Sequence, residues 1–557
     1  MEAVPQSQST ADGLVLSGAR SGAFGPAAGS ACRFACGPAP AVRGPLRRAL
    51  PGWLALEQFP NPRELNGIEK DGFSSKKSHL RAVLSVYTNW GTAIAAGLAL
   101  RLWMLKSFFL VNGDALIYGG LAKNLLLHGQ YALNGAHGEL YPTLIRLPGY
   151  PLFLAACFRL FGIENYASAA WVQIGLELAG CLLLADFAGR IAPIPQCSGA
   201  GGRRRVALAT LWLAALCPFT AVYALQPLTE GLSLFSLAVA LWSAARFQQH
   251  PAWSSALWFT FAVSYAALLR PDGALVGVAL APSLVICLSR RKRIGAVTAK
   301  KPARMAAVCV LLALLPFVAW SGRNWRVFHV FEPLAPRYAN DPGETTYPGW
   351  QRWVKTWCLD FVSTYDIYWN VPEGPLDVSK LPQRAFDSPR QYAQTVQLAE
   401  AYDRNGQEIS TQLDARFAQL AEERIRAHPL RYYLWLPLGR LADMGLRPRV
   451  ENLPIDLDWW VYAHHRAETV FCWGYAGLNA LYLLLALAGL WMRPRLWPWM
   501  LACLLLRCAL LATIEAPEAR YTLECFPILF ALGGIAVSRA LHRMADTEGV
   551  GGFNPRE

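Results

Sequence analysis

Apolar stretches recur along the chain from about residue 88 to about residue 540, with one long interruption. Most are close to the length of about 20 apolar residues that a helix needs to cross a bilayer. The pattern predicts ten membrane-spanning helices, with ends defined to within several residues. Their predicted ranges are 88–110, 167–188, 206–224, 229–246, 253–269, 273–289, 304–320, 467–491, 496–514 and 523–540. We therefore predict an all-α integral membrane protein.

The composition supports this fold class. The chain has 557 residues, of which 54% are apolar and only 16% are charged. A water-soluble protein of this size ordinarily carries more charge. No charged-then-apolar stretch with a small-residue cleavage site begins the chain, so the first span is predicted to be an uncleaved anchor.

The alternation of polar and apolar segments divides the chain into five predicted regions. Residues 1–80, rich in Gly, Ala, Pro, Ser and Arg, are predicted to be a disordered cytoplasmic tail. Residues 81–320 form an N-terminal membrane module with a first outer loop, and 321–466 an extracytoplasmic domain. Residues 467–540 hold the last three spans, and 541–557 a second cytoplasmic tail.

Two polar segments show helical periodicity. Residues 115–129, "ALIYGGLAKNLLLHG", predict a helix that lies along the membrane surface and ends at Gly129. Residues 388–429 predict two helices that end at Pro429. The many Trp and Tyr residues between 321 and 466 suit either contact with lipid headgroups or stacking on sugar rings, and the sequence leaves both uses open.

Clusters of Lys and Arg indicate the orientation in the membrane, because cytoplasmic loops retain these residues. The clusters are the N-terminal tail, "GRRR" at 202–205, "SRRKR" at 289–293, "MRPR" at 492–495 and "SRALHR" at 538–543. With ten spans all of them fall on one side, so both termini are predicted to be cytoplasmic. The net charge of +14 is then mainly a topology signal, and no nucleic acid partner is predicted.

The cysteine and histidine positions predict neither a disulfide nor a metal site. Most of the 13 cysteines lie within apolar spans, and Cys358 is the one within residues 321–466. Cys32 and Cys36 form a pair without further ligand spacing, so no zinc site is predicted. The neighbours His464 and His465 point in different directions on any regular element, which argues against a shared metal.

The informative charges are those on predicted outer turns, where arginine is normally scarce. Asp114 begins the first outer loop, and Arg146, Arg270 and Arg520 lie on three outer turns, while Arg323 follows the seventh span. If the spans pack into one bundle, these guanidinium groups converge beside Asp114. Such an arrangement suits a phosphate, since the fixed donors of arginine match phosphate oxygens.

Each of these residues also has a structural interpretation. Asp114 could cap the helix that it starts, and Thr229 or Glu230 could cap the fourth span. Arg270 and Arg520 could reach lipid headgroups from helix ends, and Arg146 could brace a proline-rich turn. The remaining outer acids are expected to pair with the arginines rather than to act in catalysis: Asp272, Glu515 and Glu518.

Six stretches in order carry a resemblance to a known family. They are "GDALIYGGLAKNLLLHGQY", "RLPGYPLFLAACFRLFG", "QPLTEGLSLF", "LLRPDG", "SGRNWRVF" and "EARYTLECFPIL". Over about residues 88–540 the chain resembles the GT-C membrane glycosyltransferases, most closely bacterial relatives of the protein O-mannosyltransferase and aminoarabinose-transferase group (glycosyltransferase family 39-like). The resemblance implies a GT-C-like bundle and an enzyme of the bacterial plasma membrane that takes a hexose or pentose from a polyprenyl-phosphate carrier on the extracytoplasmic face.

The resemblance also implies residue roles. Asp114 occupies the place of the family's general base, and Arg146 that of the basic residue on the carrier phosphate. Arg270, Arg520 and Arg323 fall in stretches that resemble other donor-site motifs. The supporting residues that these stretches carry are Tyr118, Lys123, Tyr150, Glu230, Glu518 and Tyr521.

One departure bears on metals, and several alternatives stay open. Many relatives have two successive acidic residues at the first motif, but Ala115 follows Asp114 here, so no metal and no cofactor are predicted. A single base without a second nucleophile predicts inversion at the anomeric carbon. The acceptor is predicted to be a lipid or a cell-surface glycan, with a protein Ser or Thr as the alternative. A transporter is the alternative from another class, although no inverted repeat is evident.

Overall fold

A computed structural model describes residues 72–135, 137–193, 200–293, 300–372 and 374–550. Most of the predicted N-terminal tail, including Cys32 and Cys36, lies outside these residues, as do residues 551–557. The chain divides into two units, residues 1–77 and 78–557. Of the first unit, the structure describes only the beginning of one helix.

The regular secondary structure of the described residues is almost entirely helical, as the sequence predicts. The helices are α1 Gly72–Phe108, α2 Asp114–His128, α3 Gly149–Phe161, α4 Tyr166–Ile191, α5 Ala200–Ala215, α6 Pro218–Leu225, α7 Glu230–Gln249, α8 Trp253–Leu269, α9 Ala274–Arg293, α10 Lys300–Phe328, α11 Pro348–Lys355, α12 Phe361–Ser363, α13 Pro389–Arg404, α14 Thr411–Ala427, α15 Leu436–Leu446, α16 Arg466–Trp491, α17 Trp497–Leu511 and α18 Phe526–Val550. Two short strands, β1 Ala132–Asn134 and β2 Leu140–Pro142, pair antiparallel with Leu133 opposite Tyr141.

Five helical segments are long and apolar enough to cross a membrane, or six if the bent pair α5 and α6 is one span. They coincide with six of the ten predicted spans, and they indicate a multi-pass membrane protein. The other four predicted spans match α1, α7, α8 and α17. Helices α8 and α17 have only 17 and 15 residues. Helices α1 and α7 are long enough, but the mean hydropathy of their residues is lower than that of the five segments. The count of ten spans therefore stays a prediction.

Two predicted boundaries differ from the helix ends. Helix α1 begins at Gly72, so the last residues of the predicted disordered tail are helical. Helix α10 continues to Phe328, beyond the predicted boundary at residue 320, because polar residues such as Arg323 and Asn324 extend a helix as readily as apolar ones.

The core lies where α4, α5, α7 and α18 meet. Helix α18 packs against α4, α5 and α16, and α7 packs against α4 and α8. Sixteen of the side chains of α7 are buried, which is typical of a helix surrounded by other helices. The ends of these central helices support the loops that carry the candidate site.

The segment after α10 has an aromatic core of its own. Trp350, Trp353 and Trp357 are fully buried and pack with Phe417 of α14. The two helices predicted for residues 388–429 are confirmed as α13 and α14, and Ser388 and Ser410 cap their N-termini. The tryptophans of this core are therefore structural, whereas Trp369 and Trp460 stay at the surface.

A buried ion pair links two helices of the membrane region. The guanidinium of Arg101 on α1 lies 2.5 Å from the carboxylate of Glu177 on α4 and donates to the carbonyl oxygens of Gly97 and Ala215. Both side chains are almost completely buried.

We expect Arg101→Leu to lower the free energy of unfolding by about 3–5 kcal/mol, because it leaves the carboxylate of Glu177 buried without a positive charge beside it. The double variant Arg101→Leu/Glu177→Leu should regain most of this loss. Thermal unfolding in detergent measures both, with Lys106→Leu at an exposed position of the same helix as the control. Equal stability of the single and double variants would contradict the expectation.

Candidate active site

Asp114 is the first residue of α2, and the residue before it fixes its position. Gly113 has φ 50° and ψ −123°, a left-handed conformation that glycine adopts most easily. The carboxylate thus sits at the positive end of the helix dipole. The N-cap position of α2 is occupied by Gly113, so Asp114 is not the N-cap residue of the helix. The predicted end of α2 at Gly129 is confirmed.

Two of the predicted arginines contact Asp114. Arg146 Nη2 donates to Asp114 Oδ1 at 2.8 Å, and Arg520 Nη1 lies 3.5 Å from Asp114 Oδ2. The backbone around Arg146 is fixed by a hydrogen bond from the Tyr131 hydroxyl to its carbonyl oxygen. Residues about 400 positions apart therefore converge on one carboxylate, as the sequence predicts.

A second group of charges adjoins the first. Arg270 Nη1 lies 3.1 Å from Glu230 Oε1, and its Nε lies 3.4 Å from Asp272 Oδ1. Arg520 Nε donates to Glu518 Oε2 at 2.5 Å. The ion pairs predicted for Asp272 and Glu518 are thus present. The predicted cap of α7 is not, because Thr229 makes no capping hydrogen bond and Glu230 faces Arg270.

Tyr521 lies between the two inner arginines. The guanidinium carbons of Arg270 and Arg520 are 5.3 and 5.6 Å from the centre of its ring. Its hydroxyl donates to Glu518. These contacts fix the ring beside both guanidinium groups, and a supporting role for Tyr521 stays a prediction.

Two cavities meet at Asp114. The first has a volume of about 630 Å³ and an apolar wall that includes Leu269, Leu510 and Leu511. The second has a volume of about 870 Å³ and extends toward residues 450–457. The residues that line both are Asp114, Arg146, Leu228, Ala339, Tyr368, Trp369, Glu518, Arg520 and Tyr521. Two ligands can therefore approach the same carboxylate from two sides.

Acidic side chains outnumber basic ones in the first cavity. Its arginines are Arg146, Arg270, Arg337 and Arg520, and its carboxylates are Asp114, Glu230, Asp272, Glu515 and Glu518. The carboxylates hold the guanidinium groups in place, but they do not exhaust the donors. A guanidinium has five N–H groups, and the side chain of Arg146 makes two hydrogen bonds, so donors remain for an anionic ligand.

The charges determine the protonation of the site. Burial raises the pKa of Asp114, but the neighbouring Arg146 and Arg520 outweigh this effect and hold the pKa below its usual range. Burial and the charge of Asp114 raise the pKa of Tyr118, which also lines the first cavity, to about 12. At neutral pH Asp114 is therefore ionised and can accept a proton, and Tyr118 is a hydrogen-bond donor.

These pKa shifts predict the pH dependence of any reaction that needs ionised Asp114. A lowered pKa means that the carboxylate stays ionised down to below about pH 4. Protonation of Asp114 should therefore not lower the rate between pH 8 and pH 5. Arg146→Gln removes the strongest of the ion pairs and should shift the acid limb of the kcat/KM profile to higher pH. Identical acid limbs in both proteins would contradict this assignment.

Three predicted residues lie away from these cavities. Arg323 donates to the carbonyl oxygens of Thr143 and Tyr131 and so braces the first outer loop. Lys123 pairs with Glu164 at the surface. Tyr150 is fully buried, and its hydroxyl donates to Gln173. None of the three lines either cavity, and a role for Arg323 in binding phosphate stays a prediction.

Further residues that were not predicted from the sequence support the site. Arg507 on α17 pairs with Asp272 and lies 2.8 Å from Glu524 Oε2. A single arginine in the apolar stretch "LLLRCALL" is a signal of function or of a buried partner and could have revealed it. Arg337 and Trp369 lie in turns, and Tyr368 ends a π-helix of five residues. These segments are too short for a hydrophobic period to show which side chains face the cavity.

One group of described residues has ligand atoms close enough to hold a metal ion: Asp456, Asp458 and His465. The ring nitrogens of His465 lie 3.4 Å from Asp456 and 3.2 Å from Asp458. Asp456 also lines the second cavity, which Asp114 borders. His464 is not part of this group, and the absence of a metal shared by the two histidines stays a prediction.

No protein-family model matches the sequence, and no curated protein matches it. Among solved structures, the chain is similar to the oligosaccharyltransferase AglB from Archaeoglobus fulgidus, solved with an inhibitory peptide and a dolichol-phosphate. The identity is 11% and the TM-score 0.41, over 85% of this chain and 52% of AglB. The chain thus spans about half the length of that relative.

A second similar structure is ArnT from Cupriavidus metallidurans bound to undecaprenyl phosphate. The identity is 15% and the TM-score 0.31, over 84% of this chain and 81% of ArnT. Both relatives are GT-C superfamily members, the group that the sequence motifs resemble. At TM-scores below 0.5, these likenesses do not by themselves determine the fold or the activity of this chain.

Proposed function

We propose that this protein is a GT-C-type glycosyltransferase that moves a sugar from a polyprenyl-phosphate carrier to a lipid or cell-surface glycan. It would act on the extracytoplasmic face of the bacterial plasma membrane, with ten spans and both termini in the cytoplasm. The observation that carries the proposal is the position of Asp114. Its ionised carboxylate lies where two cavities meet and contacts two arginines.

Asp114 would act as the general base. As the acceptor hydroxyl oxygen forms a bond to the anomeric carbon, its proton passes to the carboxylate. The bond between the anomeric carbon and the carrier phosphate breaks, and its electron pair stays on the phosphate oxygen. A single displacement of this kind inverts the anomeric centre. The acceptor would occupy the second cavity and the donor the first.

The arginines would stabilise the leaving phosphate. It passes from a diester to a monoester during the reaction and gains negative charge, so fixed cations favour the transition state over the ground state. Arg146 and Arg520 lie beside Asp114, and Arg270 is joined to Arg520 through Glu230. Burial opposes the charge of Arg270, but Asp272 and Glu230 raise its pKa, so it stays protonated.

The apolar wall of the first cavity suits the rest of the donor. Leu275, Leu510, Leu511 and Ile514 line it, and α17 belongs to the predicted membrane region. An isoprenoid chain gains free energy when apolar surface covers it. The carrier would therefore keep its tail among these side chains and in lipid, with its phosphate at the arginines.

The proposal is tested with purified protein in lipid vesicles that contain one of several radiolabelled polyprenyl-phosphate sugars, together with an envelope extract as acceptor. We expect the wild-type protein to release the carrier phosphate from one donor and to label a glycan or lipid. A wild-type protein that consumes no donor, but moves a solute across the vesicle membrane, would replace the proposal with the transporter alternative. Labelled protein Ser or Thr would identify the other acceptor class.

A further inference from the structure

A third cavity, here termed the side cavity, lies outside the site described above. Its volume is about 340 Å³. It is lined by residues after α11 and around α15, among them Asp360, Lys380, Arg384, Asp443 and Trp460. None of these residues has a part in the proposed transfer.

The side cavity adjoins the second cavity of the active site. Arg447 and Trp459 line both, so the two spaces share a wall. The guanidinium of Arg447 lies 5.1 Å from the ring centre of Phe361, which lines the second cavity. A ligand that fills the second cavity therefore has a neighbouring space into which it can extend.

Polar side chains along this wall are buried, and part of them pair with one another. Arg447 Nε lies 3.5 Å from Glu451 Oε1, and Arg447 Nη1 lies 3.8 Å from Asp443 Oδ2. Two donors, Asn452 Nδ2 and Trp459 Nε1, have no hydrogen-bond partner among the described residues. Buried polar groups are nearly always hydrogen-bonded in native proteins, so a ligand that supplies acceptor oxygens, such as sugar hydroxyls, would satisfy these two donors.

Charge and shape narrow the class of ligand. The basic side chains Lys380, Arg384 and Arg447 are balanced by three acidic ones, Asp360, Asp366 and Asp443. Arg384 and Arg447 pair with Asp360 and Asp443, so the lining offers a ligand both donors and acceptors. Trp460 is half exposed and meets Trp459 edge to face, with ring centres 5.8 Å apart. Its free face suits the apolar face of a sugar ring.

We propose that the side cavity binds a second sugar unit of the acceptor, so that the acceptor is a glycan of at least two units rather than a single hydroxyl compound. This inference rests on the proposed function and specifies its acceptor. The unit that attacks lies in the second cavity beside Asp114. The next unit passes Arg447 and Trp459 and stacks on Trp460.

The test compares Trp460→Ala and Asp443→Asn with the wild-type protein and with Trp435→Ala. Trp435 is an exposed tryptophan that lines none of these cavities, so it serves as the matched control. The acceptors are water-soluble glycans released from the envelope of the source cells and separated into single sugars and longer oligomers. Carrier release without acceptor is measured in parallel, as is the thermal unfolding of each variant.

We expect both substitutions at the side cavity to raise KM for the longer oligomers about tenfold, because each removes a contact with the second sugar unit, and a tenfold change corresponds to about 1.4 kcal/mol of binding free energy. KM for single sugars, kcat and carrier release without acceptor should stay within a factor of two of wild type. An equal change in KM for both acceptor pools, or no change, would overturn the inference and leave the transferase intact. Carrier release without labelling of any glycan would also overturn it. If wild type consumes no donor, the proposed function fails, and the inference falls with it.

Discussion

Replacing Asp114 with asparagine is expected to lower the rate of sugar transfer by about 10²- to 10⁴-fold, the usual contribution of a positioned general base. Asparagine has nearly the same shape, and its carbonyl oxygen can still accept the hydrogen bond from Arg146. It cannot take the proton of the acceptor hydroxyl. The loss should therefore appear in kcat, while KM for the donor stays close to that of wild type.

The change should have little effect on stability, because the side chains of Asp114 and Arg146 are 28% and 23% exposed and water screens their interaction. Single-turnover release of the carrier phosphate in vesicles measures the chemical step. Asp403→Asn, at an exposed position of α13, is the matched control and should behave as wild type. A folded Asp114→Asn protein with the wild-type rate would show that the carboxylate only anchors the two arginines.

Replacing Arg520 with glutamine should produce the second large effect, a loss of about 10²- to 10³-fold in rate, as expected for a donor aimed at developing charge. Arg520 is the one arginine that contacts Asp114, Glu230 and Glu518 within the described residues. Its removal takes one positive charge away from the proposed binding site of the carrier phosphate. Removal also leaves Glu518 without its ion-pair partner, so the protein should unfold at a lower temperature.

Arg520→Lys separates charge from geometry. Lysine keeps the positive charge but lacks the planar fork of parallel N–H donors that matches a carboxylate or a phosphate, so the rate of Arg520→Lys should lie between those of wild type and Arg520→Gln. Arg416→Gln, at an exposed position of α14, controls for the loss of one arginine. If both Arg520 variants keep the wild-type kcat and lose only stability, Arg520 is a structural residue and the phosphate must bind elsewhere.

The helices were largely predictable, because their signals are local. A long apolar stretch predicted a helix at the position of every span, and each of these helices is present. Gly129 ends α2, and Ser388 and Ser410 cap α13 and α14. The number of spans is harder to predict from the sequence. Helices of 15 and 17 residues, such as α17 and α8, can cross a bilayer where the bilayer becomes locally thinner.

The candidate site was predictable only in part. The positions of Asp114, Arg146 and Arg520 at outer helix ends indicated convergence, because every loop on one side of a bundle lies near the same plane. The direction of each side chain depends on packing between segments far apart in sequence. Arg323 also lies at an outer helix end, yet its side chain binds the carbonyl oxygens of Tyr131 and Thr143. No local sequence pattern shows whether such an arginine faces the cavities or the first outer loop.

The ion pair between Arg101 and Glu177 has a consequence for biogenesis. Arg101 precedes Glu177 by 76 residues, so α1 leaves the ribosome well before its partner exists. A lone arginine in the middle of a helix raises the free energy of membrane insertion by about 2.5–3.5 kcal/mol. This cost is offset only when α4 has been synthesised and Glu177 can pair with Arg101. The first helix should therefore remain at the insertion machinery until the later helix joins it, and loss of Glu177 should reduce the yield of inserted protein.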